Sequence, residues 1–173
     1  MTITVKNRWW EVYPRVHKIY DNNNLVAAVE RIDFGNESET FLIEDGDGNK
    51  LATLTVVLRT DMTANKGESP FTLSINKKRI KGKFVNLEGH TSFKFDGKEY
   101  LIRWPEPKHP RENMQYLEVI NGDNVVARAT MDIRTTWERH VEIGDELEEL
   151  RIPLALVLAR KVGFVGSEYV HYF

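Results

Sequence analysis

A chain of 173 residues, 41% hydrophobic and 29% charged, has the size and composition of one folded domain that buries its own core without staples. Its 24 Lys and Arg against 26 Asp and Glu leave a formal charge of -2, which excludes a global field toward nucleic acid, so any attraction for anions must be local. Cysteine is absent, which excludes disulfides, thiolate zinc sites, thiol nucleophiles and palmitoylation and fits a reducing compartment.

The opening "MTITVKNRWWEVYP" lacks the charged and then apolar run of a secretory signal, and its second residue is not the glycine that myristoylation needs, so the chain reads as cytoplasmic. A first strand is predicted near 9–13. From there one phrase recurs: a short alternating run, a tight polar turn, and another alternating run. The turns fall in "YDNNNL", "EDGDGNK", "INKKR", "FDGKE" and "NGDN", where Asn, Asp and Gly supply the positive φ angles of tight hairpins. The arms are predicted at 16–20 and 25–32, 40–45 and 50–58, 71–76 and 79–85, 91–95 and 98–104, and 116–121 and 124–133, with a last strand at 137–143. The total is about twelve antiparallel strands, with Asp96-Gly97 as the clearest two-residue turn. The segments 61–70 and 105–113 read as surface loops from their Pro, Gly and charge content. Neither marks a composition change, so residues 1–173 form one domain.

Several stretches bear on chemistry. "EDGDGNK" begins like a calcium loop, but its sixth position is Lys50 and its twelfth Val56, where Gly and Glu are required. It reads as a turn. "INKKRIKGKF" places Lys77, Lys78, Arg79, Lys81 and Lys83 within seven residues. With Ile80, Gly82 and Phe84 turned inward, Arg79, Lys81 and Lys83 share one outer face about 6.5–7 Å apart. Three like charges in a row repel, and an anion such as a phosphate relieves them. The competing explanation is an edge strand kept soluble by lysine.

The five histidines, His17, His90, His109, His140 and His171, have no metal-binding spacing. His140 between Glu138 and Glu142 has the form of an acid–base pair on one strand face. No nucleophile phrase accompanies it, and a solvated strand explains the same residues. Trp9, Trp10, Tyr13, Trp104 and Trp137 read as packing aromatics before ligand-stacking ones.

The closing "DELEELRIPLALVLARKVGF" is different in kind. Pro153 has no N–H and belongs in a first helical turn, so a helix starts near Arg151 or Ile152. Arg160 and Lys161 would occupy its last turn and Gly163 its cap, which makes a helix of about 11 residues. Ile152, Leu154, Ala155, Leu156, Val157, Leu158 and Ala159 point all around the axis, so this helix must be surrounded. Burying its five large apolar side chains contributes roughly 7–15 kcal/mol gross at about 1.5–3 kcal/mol each, as much as the net stability of an ordinary domain at about 5–15 kcal/mol. Only eight uncharged residues separate Arg151 from Arg160, against the ~20 that a membrane span needs. A short all-round apolar helix with about twelve strands points to a sheet closed around it. The last residues, "SEYVHYF", alternate as an added strand would.

In "FLIEDGDGNKLATLTVVL" and "DELEELRIPLALVLARKVGF" the chain resembles the tubby C-terminal-like superfamily, which includes the LURP-one-related and phospholipid scramblase-like proteins. The resemblance covers roughly residues 9–165 and implies a twelve-stranded barrel enclosing the terminal helix. Pro153 inside the helix phrase, and Arg160-Lys161 in place of an acidic residue after it, depart from the family pattern. The cysteines and membrane-inserting tail of scramblases are absent, so scrambling is not implied. Tubby itself binds phosphoinositide head groups through basic residues, but those positions do not align individually with this chain.

Composition and resemblance together predict a non-enzymatic binding or scaffold domain that needs no cofactor and no metal. Its anionic-ligand site would be Lys77, Arg79, Lys81 and Lys83, facing an anionic phospholipid surface or a protein partner rather than nucleic acid. The alternative is a lipocalin-like carrier, an eight-stranded barrel holding a small apolar molecule with the helix packed outside.

Overall fold

The computed structural model describes residues 2–7, 16–34, 38–57, 67–75, 78–87, 90–103, 113–135 and 137–170. These residues form one antiparallel sheet of twelve strands followed by a terminal helix. In chain order the strands are β1 (Thr2–Asn7), β2 (Val16–Asp21), β3 (Asn24–Phe34), β4 (Ser38–Glu44), β5 (Lys50–Val57), β6 (Gly67–Ile75), β7 (Lys78–Leu87), β8 (His90–Phe95), β9 (Lys98–Arg103), β10 (Met114–Asn121), β11 (Asn124–Asp132) and β12 (Glu138–Ile143). Each pairs with its sequence neighbour, and β1 pairs with both β2 and β12, so the ladder returns on itself as a closed barrel. A 3-10 turn, Asp145–Leu150, leads into helix α1, Arg151–Val170.

Alternation decides which face of each strand is buried. Ile3 and Val5 of β1, Ile19 of β2, Val29 of β3, Ile43 of β4, Leu54 of β5 and Val141 of β12 are all at most 3% exposed and join one core. The same core takes Leu154, Ala155, Leu156, Leu158, Ala159 and Val162 of α1. At 100° per residue these positions, with buried Pro153, cover every side of the helix axis. Ile152 and Val157, half-buried, pack against the core as well. Phe93 and Tyr100 stack at 5.2 Å inside the β8–β9 wall.

Strands that alternate in direction bring the turns after β2, β4, β8 and β10 and the exit from β12 to one end of the barrel. Asn22-Asn23 and Asp96-Gly97 both take positive φ, 47° and 67°, 49° and 74°, as the two-residue hairpin requires. The β4–β5 turn is built around Asp45, whose carboxylate accepts N–H bonds from Asp47 at 2.9 Å and Asn49 at 2.8 Å.

The strand expected near 9–13 lies outside the described residues, and β1, which precedes it, has the alternation of a strand in "TITVK", with Ile3 and Val5 inward. Three expectations need correction. The segment 61–70 is not loop throughout, because β6 begins at Gly67. Pro70 sits in that strand opposite Lys83, beyond the β5 ladder that starts at Phe71, and there its missing N–H leaves no broken bond on the β5 side. Helix α1 runs 20 residues, about 30 Å at 1.5 Å per residue, and so passes through Gly163 instead of ending there. A glycine inside a helix costs only about 1 kcal/mol, so Gly163 does not stop a helix already seated in a core. Arg160 and Lys161 are therefore mid-helix, and residues 167–170 continue the helix where a strand was predicted.

The enclosed helix makes a direct prediction. Leu156, fully buried, is expected to cost about 2–5 kcal/mol when replaced by Ala. Leu156→Asp is expected to abolish the cooperative unfolding transition and the near-ultraviolet circular dichroism; a folded Leu156→Asp protein would overturn the core assignment.

Candidate functional site

Arg79 and Lys81 of β7 fall on the outer wall. Arg79 and Lys81 are both exposed and two residues apart, and among the described residues neither makes an ion pair. Lys83 holds the next register position of that parity, opposite Pro70, and Lys77 lies outside the described residues. The structure therefore brings Arg79 and Lys81 to one face as expected.

What lies beside them was not legible in the run of lysines. Lys81 pairs with Thr72 of β6, Thr72 with Thr55 of β5, and Thr55 with Thr40 of β4. Arg79 pairs with Ser74, and Ser74 with Thr53. The hydroxyls of Thr40 and Thr55 are hydrogen-bonded at 3.2 Å. The Thr53 hydroxyl is covered and has no hydrogen-bond partner among the described residues. Two cations thus border two rows of hydroxyls, and the first carboxylates in those rows are Asp33 and Glu30, back on β3. Hydroxyl donors and unpaired cations together suit an oxyanion. The β7–β8 ladder covers only Val85–Leu87 against His90–Ser92, so the basic half of β7 is laddered on one side, which is where lysine also keeps a strand soluble.

His140 is the second predicted group. Its Nδ1 lies 3.2 Å from the Thr4 hydroxyl and its Nε2 lies 3.4 Å from Glu138, whose other oxygen pairs with Lys6 at 3.3 Å. Glu138 and His140 are brought together as expected, while Glu142 is not part of that chain. A hydroxyl–imidazole–carboxylate chain is present, yet it stands on the outer wall with His140 47% exposed and Lys6 competing for the carboxylate. Held in water in this way, it polarises its hydroxyl little.

His17 is buried on the inner face of β2 between Asn7 and Val29, a packing position. Trp137 is exposed just before β12, and Trp9, Trp10, Tyr13 and Trp104 lie outside the described residues. Among the described residues no three His, Asp or Glu side chains are placed to hold a metal ion. Asp45, first in the calcium-like phrase, is occupied as the acceptor of its own turn.

At the turn end, Glu146 ties the 3-10 segment to the wall. Its carboxylate accepts from Asn121 Nδ2 at 3.2 Å and from the Tyr100 hydroxyl. Burial and the nearby Glu146 charge raise the Tyr100 pKa. Beside this latch lies an open groove of about 790 Å³ between the start of β11 and the β12 exit, with Val125, Glu142 and Asp145 in its lining. Sequence reading missed it. The available signal was "NVVA", two consecutive apolar residues at a strand start, one of which must face out.

Comparisons with protein-family models, with curated proteins and with solved structures found no match. No helix among the described residues is long and apolar enough to cross a membrane.

Two carboxylates set an acid response. Hydrogen bonds from the Arg134 side chain and backbone hold Asp132 down to about 2, and the backbone and side chain of Asn49 lower Asp45. Groups with depressed folded-state pKa values stabilise the fold above their unfolded value of 3.8 and lose that contribution as pH falls through the folded value. Denaturant midpoints are therefore expected to drop between about pH 4 and 2, and Asp132→Asn and Asp45→Asn should each flatten that drop. An unchanged pH slope in both variants would contradict these turn assignments.

Proposed function

We propose that this is a non-enzymatic binding domain of the tubby C-terminal-like type, acting at the cytoplasmic side of a membrane surface, where the outer wall of β7 holds anionic lipid head groups. The carrying observation is that Arg79 and Lys81 stand exposed and without ion pairs among the described residues, bordered by Thr72, Ser74 and Thr55. Phosphate oxygens would take the two charges and the hydroxyls would take the remaining acceptors. The twelve-strand ring and the all-round buried α1 support the tubby-type reading of the fold.

A lipocalin-like carrier fits less well. Where a carrier holds its cargo, the inward side chains of this barrel share one packed core with α1.

Flotation with neutral, phosphatidylserine-containing and phosphoinositide-containing vesicles tests the proposal. Wild type is expected to float with anionic vesicles only and less at physiological than at low salt. Changing Arg79, Lys81 and Lys83 together to Ala removes three cations at about 1 kcal/mol each, so binding should weaken by about two orders of magnitude. No flotation, or equal flotation by the triple variant, would leave these residues as the guard of a one-sided strand.

A further inference from the structure

The groove at the turn end has a chemistry opposite to that of β7. Strand β12 leaves the barrel at Gly144, whose N–H donates to the Val126 carbonyl at 2.8 Å. A Cβ at this position would stand 3.1 Å from that same oxygen, so the chain crosses tightly beneath the start of β11 before the 3-10 turn. The groove beside this crossing is lined by Val125, Glu142, Asp145 and Glu146 among others.

Its side chains are not equally engaged. Arg128, the one cation among the described lining residues, directs its guanidinium at Glu118, with Nη2 at 2.8 Å and Nε at 3.3 Å from the same oxygen. Glu146 is held by Asn121 and Tyr100. Glu142 and Asp145, both exposed, make no ion pair among the described residues. Val125 is 46% exposed, in contrast to its buried neighbour Val126, because the ladder between β10 and β11 shifts register at Val119/Ile120. An uncovered apolar side chain thus shares a concave site with Asp145 and with Glu142, whose cross-strand neighbour Arg128 is engaged by Glu118. The ladder order puts β12 five steps from β7 in a ring of twelve, close to the opposite side of the barrel.

We propose that this groove docks an extended basic segment of a partner protein, one that places an apolar side chain against Val125 and Lys or Arg side chains against Glu142 and Asp145. Charge complementarity selects this occupant: an anionic surface is repelled here, and an uncharged apolar segment leaves both carboxylates uncompensated. The two faces are independent, so this site stands whether or not β7 binds lipid.

The test is fluorescence anisotropy with a labelled peptide of alternating Lys and Leu, compared with its Glu–Leu and Lys–Ser counterparts at low and physiological salt. Saturable binding of the Lys–Leu peptide, weaker at higher salt, is expected. Glu142→Gln with Asp145→Asn should reduce the affinity by about tenfold, an effect in the range of removed interfacial charges. Val125→Ser should reduce it too, and Arg79→Ala with Lys81→Ala should leave it unchanged. Absence of saturable binding, or an unchanged affinity in the carboxamide variant, would overturn the proposal. So would self-association of wild type in sedimentation velocity that the carboxamide variant abolishes, because the groove would then belong to a second copy of this chain.

Discussion

The enclosure of one apolar helix is the constraint on which the molecule depends. Pro153 to Ala159 carry no charge and no hydroxyl, and the helix they form is apolar on every side, so no single surface can cover it. A ring of strands can, and the pairing of β1 with both β2 and β12 supplies it. The dependence runs both ways. Ile3, Ile19, Val29, Ile43 and Val141 point to the centre of the ring and would face an empty space without α1. Closure also removes most of the free edge that a sheet this large would otherwise expose to other chains, the basic half of β7 excepted.

A filled centre moves recognition to the outer wall and the ends. The wall is not uniform, since its β4–β7 sector carries hydroxyl rows ending at Arg79 and Lys81, while the β10–β12 sector carries Glu142, His140 and the paired Arg128–Glu118. The entry of α1 shapes the second sector. For the helix to reach the core, the chain must leave β12, cross beneath β11 at Gly144 and turn through Leu147 and Leu150, both buried. The groove is the surface left by that crossing, and Glu146 holds the crossing in place through Asn121 and Tyr100.

The hairpins were legible because local chemistry specifies them. Positive φ at Asp96-Gly97 and the alternation around it need nothing from the rest of the chain, and the predicted arms match β2 through β12 to within a few residues at each end. The helix start was legible for the same reason, through Pro153. The misreadings occur where a local preference is weak against tertiary packing. Gly163 was expected to end α1 and Pro70 to lie in a loop, yet the first is crossed by a helix anchored in the core and the second occupies a position without a β5 partner. The charges of the β7 face were legible as residue types. Their surroundings were not, because Thr53, Thr55, Thr72 and Ser74 come from two other strands and reach Arg79 and Lys81 only through register.

The sequence by itself determined the class, the turns and the necessity of a buried helix, since these follow from backbone preferences and from the apolar area that a short segment must remove from water. Tertiary structure alone decided which strand opens the sheet, how far α1 extends, which hydroxyls border the cations and where a groove with free carboxylates lies. Each of these depends on pairing between residues distant in the chain, and pairing register is set by how all the inward faces pack at once. Val125 shows the difference: its sequence neighbour Val126 has the same side chain, and only the register shift opposite Val119/Ile120 turns one into the core and leaves the other in the groove.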